Sequence, residues 1–232
     1  MLAGPEAAEA AIDEHVVLYW SGGKDCALAL HQLHTTERFK GFRVNCLLTT
    51  FTEVYDRVSF HGIRRELIEQ QTAMLGIDLH KTYVPPGSTM AQYEATIEDA
   101  LAQHRARGTR FVASGDIFVE KQRVTMLKKL GFKGCFPLWQ KTTGEQIQAF
   151  LDSGIKAYVV CVDSAILDAS FVGKPLDSEF LKRLPSYVDP CGERGEYHTF
   201  VYDGPMFRAP VKCRLGEVVL RGSLYFSDVT PE

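Results

Sequence analysis

The feature that most limits how this chain can fold is a short apolar run delivered into a glycine turn. His15-Val16-Val17-Leu18-Tyr19-Trp20 has the length and unbroken apolar character of a strand buried on both faces. It runs directly into Ser21-Gly22-Gly23-Lys24-Asp25, after which Ala27, Leu28, Leu30 and Leu33 recur at helical spacing. Strand, tight turn and helix in that order open an α/β unit. The turn also carries a chemistry. Adjacent glycines let the backbone approach an anion closely, and the helix start adds N–H groups and partial positive charge. Ser21 supplies a hydroxyl and Lys24 a point charge. The loop is not of the Walker type, which needs a glycine where Leu18 stands. Asp25 beside a phosphate repels it unless Mg²⁺ lies between them. The strand–turn–helix setting favours a phosphate site over a plain structural turn.

The alternation continues along the chain. Strands are expected at Arg43–Thr50, Lys81–Val84 and Arg110–Ser114, and helices at Gly62–Leu75, Met90–Arg107 and Val119–Leu130. Such βαβ repetition predicts an α/β fold, a mostly parallel sheet with helices on both faces. After Pro137-Leu138-Trp139 the texture changes to a helix at Thr143–Leu151, a strand at Ala157–Val162 and a short helix at Ser178–Leu184. Short strands follow at His198–Tyr202, Val211–Leu220 and Ser223–Phe226. A boundary near residue 140 is therefore expected, with an ATP-binding domain over 15–140 and a smaller α+β domain for substrate recognition over 141–232.

Composition narrows the partners. The 232 residues are 45% hydrophobic and 24% charged, which is the balance of a globular protein. A formal net charge of −3 offers no basic field for nucleic acid or an anionic membrane. The local group Lys121, Arg123, Lys128, Lys129 and Lys133 reads as a solvated helix face. Six scattered cysteines without a C-x-x-C pair point to reduced, buried thiols rather than zinc or disulfides. The first fourteen residues are Ala-rich and acidic and lack the basic and apolar regions of a signal peptide. A cytoplasmic protein with a frayed start is expected.

Three further segments carry candidate chemistry. Gly115-Asp116 ends a predicted strand, where open α/β sheets bind ligands. Asp116 there suits Mg²⁺ or substrate positioning, and equally an ordinary helix N-cap. Arg123 lies along the following helix, within reach of phosphates or of a surface ion pair. Ser59-Phe60-His61 precedes a helix that Ser59 could simply cap. Gly192 to Thr199 holds two glycines with Glu193 and Glu196, which suits either a ligand loop or a solvated surface turn.

Ser-Gly-Gly-Lys-Asp after a buried strand resembles the PP-loop of the N-type ATP pyrophosphatases, which cleave ATP between the α and β phosphates through an adenylated intermediate. Cys26 stands where the usual pattern has Ser, and it reads as a helix residue rather than a nucleophile. Four more segments resemble the diphthine–ammonia ligase family in matching order, from about Val16 to Phe226. They are Ser59-Phe60-His61-Gly62, Gly115-Asp116-Ile117, Phe136-Pro137-Leu138-Trp139 and Cys191-Gly192-Glu193-Arg194-Gly195-Glu196-Tyr197-His198-Thr199 with its continuation to Val201-Tyr202-Asp203-Gly204-Pro205. The resemblance implies a PP-loop fold, ATP and Mg²⁺ as cofactors, and amide formation from an adenylated carboxylate and ammonia. It implies nucleotide contacts from Ser21, Gly22, Gly23, Lys24, Asp25 and Cys26, with Thr49, Ser59, His61, Gly115 and Arg123 around them. Asp25 and Asp116 would hold the metal, and Lys24, Asp25, Asp116 and Glu196 would carry catalysis.

The acceptor would meet Glu193, Gly195, Glu196, His198 and Thr199. Family members acting on diphthine carry an acid where His198 stands. The acceptor therefore stays open between diphthine on elongation factor 2 and a small carboxylate metabolite, as in cofactor salvage. A homodimer is also open. tRNA thiolation, which other PP-loop enzymes perform, is disfavoured by the dispersed cysteines and the acidic charge balance. A non-catalytic nucleotide-binding module is the remaining alternative.

Overall fold

The computed structural model describes residues 13–59, 61–118 and 121–232. The opening unit forms as the pattern predicts: β1 (Glu14–Tyr19) leads through Gly22 and Gly23 into α1 (Lys24–Thr35). Four more parallel strands flank it: β2 (Phe42–Thr52), β4 (Asp78–Val84), β5 (Phe111–Ala113) and β6 (Lys133–Cys135). Their order is β4–β2–β1–β5–β6, and the two-residue β3 (Arg57–Val58) turns back antiparallel on the end of β2. The connecting helices are α2 (Arg65–Leu75), α3 (Met90–Ala106) and α4 (Lys121–Lys129).

Side chains along β1 point alternately to two cores, and this explains its continuous apolar run. Val16, Leu18 and Trp20 pack with Leu28 and Leu30 of α1 and Leu67 and Ile68 of α2. Val17 packs on the opposite face with Leu48, Leu101 of α3 and Leu127 of α4. Helices thus cover both faces of the sheet, as expected for this α/β class.

The second half builds an antiparallel sheet. It contains α5 (Thr143–Asp152), β7 (Lys156–Asp163), α6 (Ser178–Arg183), β8 (Tyr197–Asp203), β9 (Cys213–Arg221) and β10 (Leu224–Pro231). Strand order is β8–β7–β10–β9. The two sheets do not bury separate cores. Leu18, Leu28 and Ile68 belong to the same apolar cluster as Phe150, Val159 and Phe200.

Several details depart from the sequence pattern. Strands β3 and β6 are too short to give a readable period, and Lys133 lies on β6 rather than on a helix. Helix α2 starts at Arg65 instead of Gly62, because Ile63 accepts a hydrogen bond from Val58 and extends the β3 turn. Strand β4 starts at Asp78, and β10 runs on to Pro231. The expected frayed start falls on residues 1–12, outside the described residues, as does the Val119 start of the fourth helix. Among the described residues no helix is long and apolar enough to cross a membrane.

Candidate active site

The glycine turn is fixed from three sides. Trp20 donates its N–H to Leu48 at 2.9 Å, and the fully buried Thr49 donates its hydroxyl back to the Trp20 carbonyl at 2.7 Å. Gly22 sits at φ 81°, in the left-handed region, and a Cβ there would meet Ile68 Cδ1 at 2.6 Å and Gln71 Oε1 at 2.9 Å. Gln71 is fully buried on α2. Its Oε1 accepts from Trp20 Nε1 at 2.8 Å, while its Nε2 donates to the carbonyls of Gly22 at 3.1 Å and Val201 at 2.6 Å. Gly115 closes the turn from β5. A Cβ on it would lie 2.6 Å from the Asp25 carbonyl carbon and 2.8 Å from Cys26 N.

Helix α1 receives its N-cap from the other sheet. Gly23 has no side chain to offer, and Thr199 Oγ1 on β8 accepts the Lys24 N–H at 2.9 Å. Val201 N also donates to the Gly22 carbonyl at 2.9 Å. The phosphate-loop candidate is therefore joined directly to the segment following the Gly192–Glu196 loop.

Between them lies a cavity of about 320 Å³. Ser21, Gly23, Lys24, Asp25 and His61 line one side, and Gly192, Glu193, Gly195, Tyr197, His198 and Thr199 the other. Lys24 is buried, with Nζ 2.8 and 2.7 Å from the two Asp25 oxygens and 3.9 Å from Glu193. Burial, the largest single influence, lowers its pKa, but Asp25 together with Cys191 and Glu193 outweighs that and raises it, so the ammonium persists. Burial and the Asp25 charge push Glu193 up to about 7, against the opposing pull of Lys24. The His61 and His198 rings stand 5.0 Å apart. Burial, His198 and Lys24 drive His61 down to about 3, and burial with Lys24 lowers His198 as well. Both imidazoles are neutral near pH 7, and His61 Nδ1 is buried without a hydrogen-bond partner.

The remaining candidates stand behind or beside this cavity. Cys26 is the third residue of α1, its thiol donates to the Gly23 carbonyl at 3.1 Å, and burial raises its pKa. Ser21 Oγ lies 3.6 Å from that sulfur and accepts from Gly23 N at 3.4 Å. Glu196 is buried away from the cavity. Its two oxygens accept from Asp189 N at 3.1 Å and Arg194 N at 2.8 Å, clamping the loop that presents Glu193. Asp116 takes Arg123 Nε at 2.7 Å, and the guanidinium lies 5.4 Å from the Tyr19 ring. Ser59 shares a hydrogen bond of 3.0 Å with Thr52 and lines a second cavity of about 440 Å³ with Tyr55, Pro85, Pro86 and Tyr93.

Sequence reasoning missed Gln71 and Tyr197. Gln71 had a signal, since it is a polar residue on the apolar face set by Leu67, Ile68 and Leu75. Tyr197 had none beyond its place in the loop motif.

Two family models match this chain. One describes the diphthamide synthase N-terminal domain and covers residues 14–133, most of the parallel sheet. The other describes the diphthamide synthase C-terminal domain and covers residues 142–226. The chain belongs to the diphthamide synthase family. It is similar to a diphthine–ammonia ligase of Bos taurus, 32% identical over 128 residues, covering 51% of this chain and 47% of that one. The Homo sapiens diphthine–ammonia ligase is 30% identical over 128 residues with the same coverage. The Schizosaccharomyces pombe protein of that name is 32% identical over 120 residues, covering 48% of this chain and 20% of the other. The chain thus spans about half the length, or less, of these curated relatives. A solved U34-tRNA thiolase NcsA from Methanococcus maripaludis is 15% identical, covering 61% of this chain and 56% of that one. The TM-score between the two is 0.38.

Proposed function

We propose that this diphthamide synthase family member is an ATP-dependent amide-forming ligase of the diphthine–ammonia ligase type. One observation carries the reading: the Ser21–Asp25 turn and the Gly192–Thr199 loop face each other across a single cavity. Residues 15–140 would form the nucleotide side and residues 141–232 the acceptor side. The triphosphate would enter at the α1 N-terminus, where Lys24 can turn from Asp25 onto phosphate oxygens. Adenosine would extend towards Ser59 and the second cavity, whose tyrosines and prolines suit a planar base.

Mg²⁺ would neutralise charge on the leaving pyrophosphate. Among the described residues no group of three or more His, Cys, Asp or Glu side chains forms a closed metal cage. Of the two expected metal ligands, Asp25 lines the cavity and Asp116 does not, which suits an ion that arrives with phosphate and water ligands. Asp116 would join only by releasing Arg123.

An acceptor carboxylate would attack the α phosphorus, and the positioned Lys24 ammonium would favour departure of pyrophosphate. Ammonia would then attack the acyl carbon and AMP would leave. The proton lost from nitrogen would pass to Glu193, whose pKa of about 7 matches that task. Sulfur transfer to tRNA is less well supported. Cys26, Cys46, Cys135, Cys161 and Cys191 are buried, and burial raises every one of these thiols.

A small carboxylate metabolite is the second reading for the acceptor, and His198 favours it. A neutral imidazole beside His61 cannot pair with the quaternary ammonium of diphthine as an acid could. The test is release of pyrophosphate and AMP from Mg·ATP with ammonium and either diphthine-bearing elongation factor 2 or a panel of small carboxylates. Acceptor-dependent release that is lost in Asp25→Ala is expected. Nucleotide binding without release under every condition would make the chain a binding module instead.

A further inference from the structure

The antiparallel sheet ends in an open edge. Among the described residues strand β9 is paired on one side only, with β10. Its last stretch, Glu217-Val218-Val219-Leu220-Arg221, is exposed at every residue. Val218 is 41% exposed, Val219 37% and Leu220 54%, with Leu224 at 38% just past the Gly222-Ser223 turn. Edge strands in monomers are normally blunted by central charges, prolines or bulges. Strand β9 carries a charge at its centre, Glu217, and a register shift beside it, but beyond them Val218 to Leu220 is uncharged and in regular register with β10. Three consecutive apolar side chains are left on a free strand edge.

The stretch is complementary to itself. Antiparallel pairing centred on Val219 sets that residue against the partner's Val219, and Val218 against the partner's Leu220. The same register sets Glu217 opposite the partner's Arg221, and the two-fold symmetry repeats both pairs at the other end. Arg221 is already held at the edge, its guanidinium 4.6 Å from the Phe226 ring.

We propose that β9 is a homodimer interface, through which two copies join edge to edge and extend two four-stranded sheets into one of eight. Backbone hydrogen bonds supply the affinity, and the terminal charge pairs set direction and register. A five-residue strand pair is small for an interface, so the dimer dissociates in the micromolar range.

Sedimentation velocity on the full chain, across the micromolar range, tests this. The expected result is a mass rising from that of the 26.0 kDa chain towards twice that value with concentration. Glu217→Arg and Arg221→Glu each place like charges opposite one another at both ends, and each weakens the dimer about tenfold or more. The double exchange Glu217→Arg with Arg221→Glu restores opposite pairs and with them the wild-type dissociation constant. Circular dichroism melts of all variants match the wild type, because both side chains are exposed. A wild-type chain that stays monomeric, or a dimer indifferent to both single changes, overturns the proposal. Neither outcome bears on the ATP reading, since β9 is not part of the cavity at the glycine turn.

Discussion

Replacing Gly115 with alanine would drive a methyl group into the start of α1. The new carbon would lie 2.6 Å from the Asp25 carbonyl carbon, 2.7 Å from its oxygen and 2.8 Å from Cys26 N. Ordinary contact begins near 3.4 Å, so the glycine turn must retreat by about 0.8 Å or β5 must move away. All three atoms are backbone, and no rotamer change can relieve them. Overpacking of this kind costs about 1–3 kcal/mol. For a chain of this size the melting midpoint should fall by about 2–12 °C. The effect on turnover should be larger, because a displacement approaching 1 Å in a positioning loop costs about 100-fold. The assay pairs thermal unfolding by circular dichroism with pyrophosphate release at saturating Mg·ATP and acceptor. A variant that melts and turns over like the wild type would refute the packing argument. One that is destabilised yet releases pyrophosphate at the wild-type rate would refute the assignment of the turn as the phosphate site.

Thr199→Val keeps the shape of the side chain but leaves the Lys24 N–H without its acceptor, so urea unfolding should show a loss of about 1–2 kcal/mol. Thr199→Ser should retain most of the stability, and equal midpoints for all three proteins would contradict the cap. Glu193 accepts protons only in its ionised form, which builds up above about 7, so amide formation should rise with pH through that value. Glu193→Gln should remove that rise in a pH–rate profile. The same raised pKa means that the Glu193 contribution to stability is present below the ordinary glutamate value and lost as pH climbs through about 7. Burial would raise Asp228, but hydrogen bonds from Arg64 and Arg57 outweigh it and hold the carboxyl at about 2. Its stabilising contribution is therefore present above the ordinary aspartate value and lost as pH falls through about 2. Asp228→Asn should cost about 1–3 kcal/mol at neutral pH, and the gap in unfolding midpoint should close in strong acid.

The run from His15 to Leu33 determined, without any tertiary information, that a buried strand enters a glycine turn and then a helix. Those constraints are local: apolar continuity, glycine and 3.6-residue spacing act over a few neighbours. Local logic left Gly115-Asp116 even with a helix cap and the Gly192–Thr199 loop open to a plain surface turn, and only the family resemblance favoured a site at each. What each residue does there depended on partners far along the chain. Only the packing of β8 against α1 made Thr199 the cap of a helix that begins at Lys24. Two glutamates in one short loop look alike in sequence, yet the fold turns Glu193 into the cavity and buries Glu196 against backbone N–H groups. Arg123 read equally as a phosphate contact or a surface ion pair, and the fold pairs it with Asp116. Local pattern names the residue types at a site, but burial and the geometry of distant partners set their charge and direction. The glycine turn could be read from the run between His15 and Leu33 because its conformation is encoded in those residues. The face that opposes it could not, because that face comes from the other sheet.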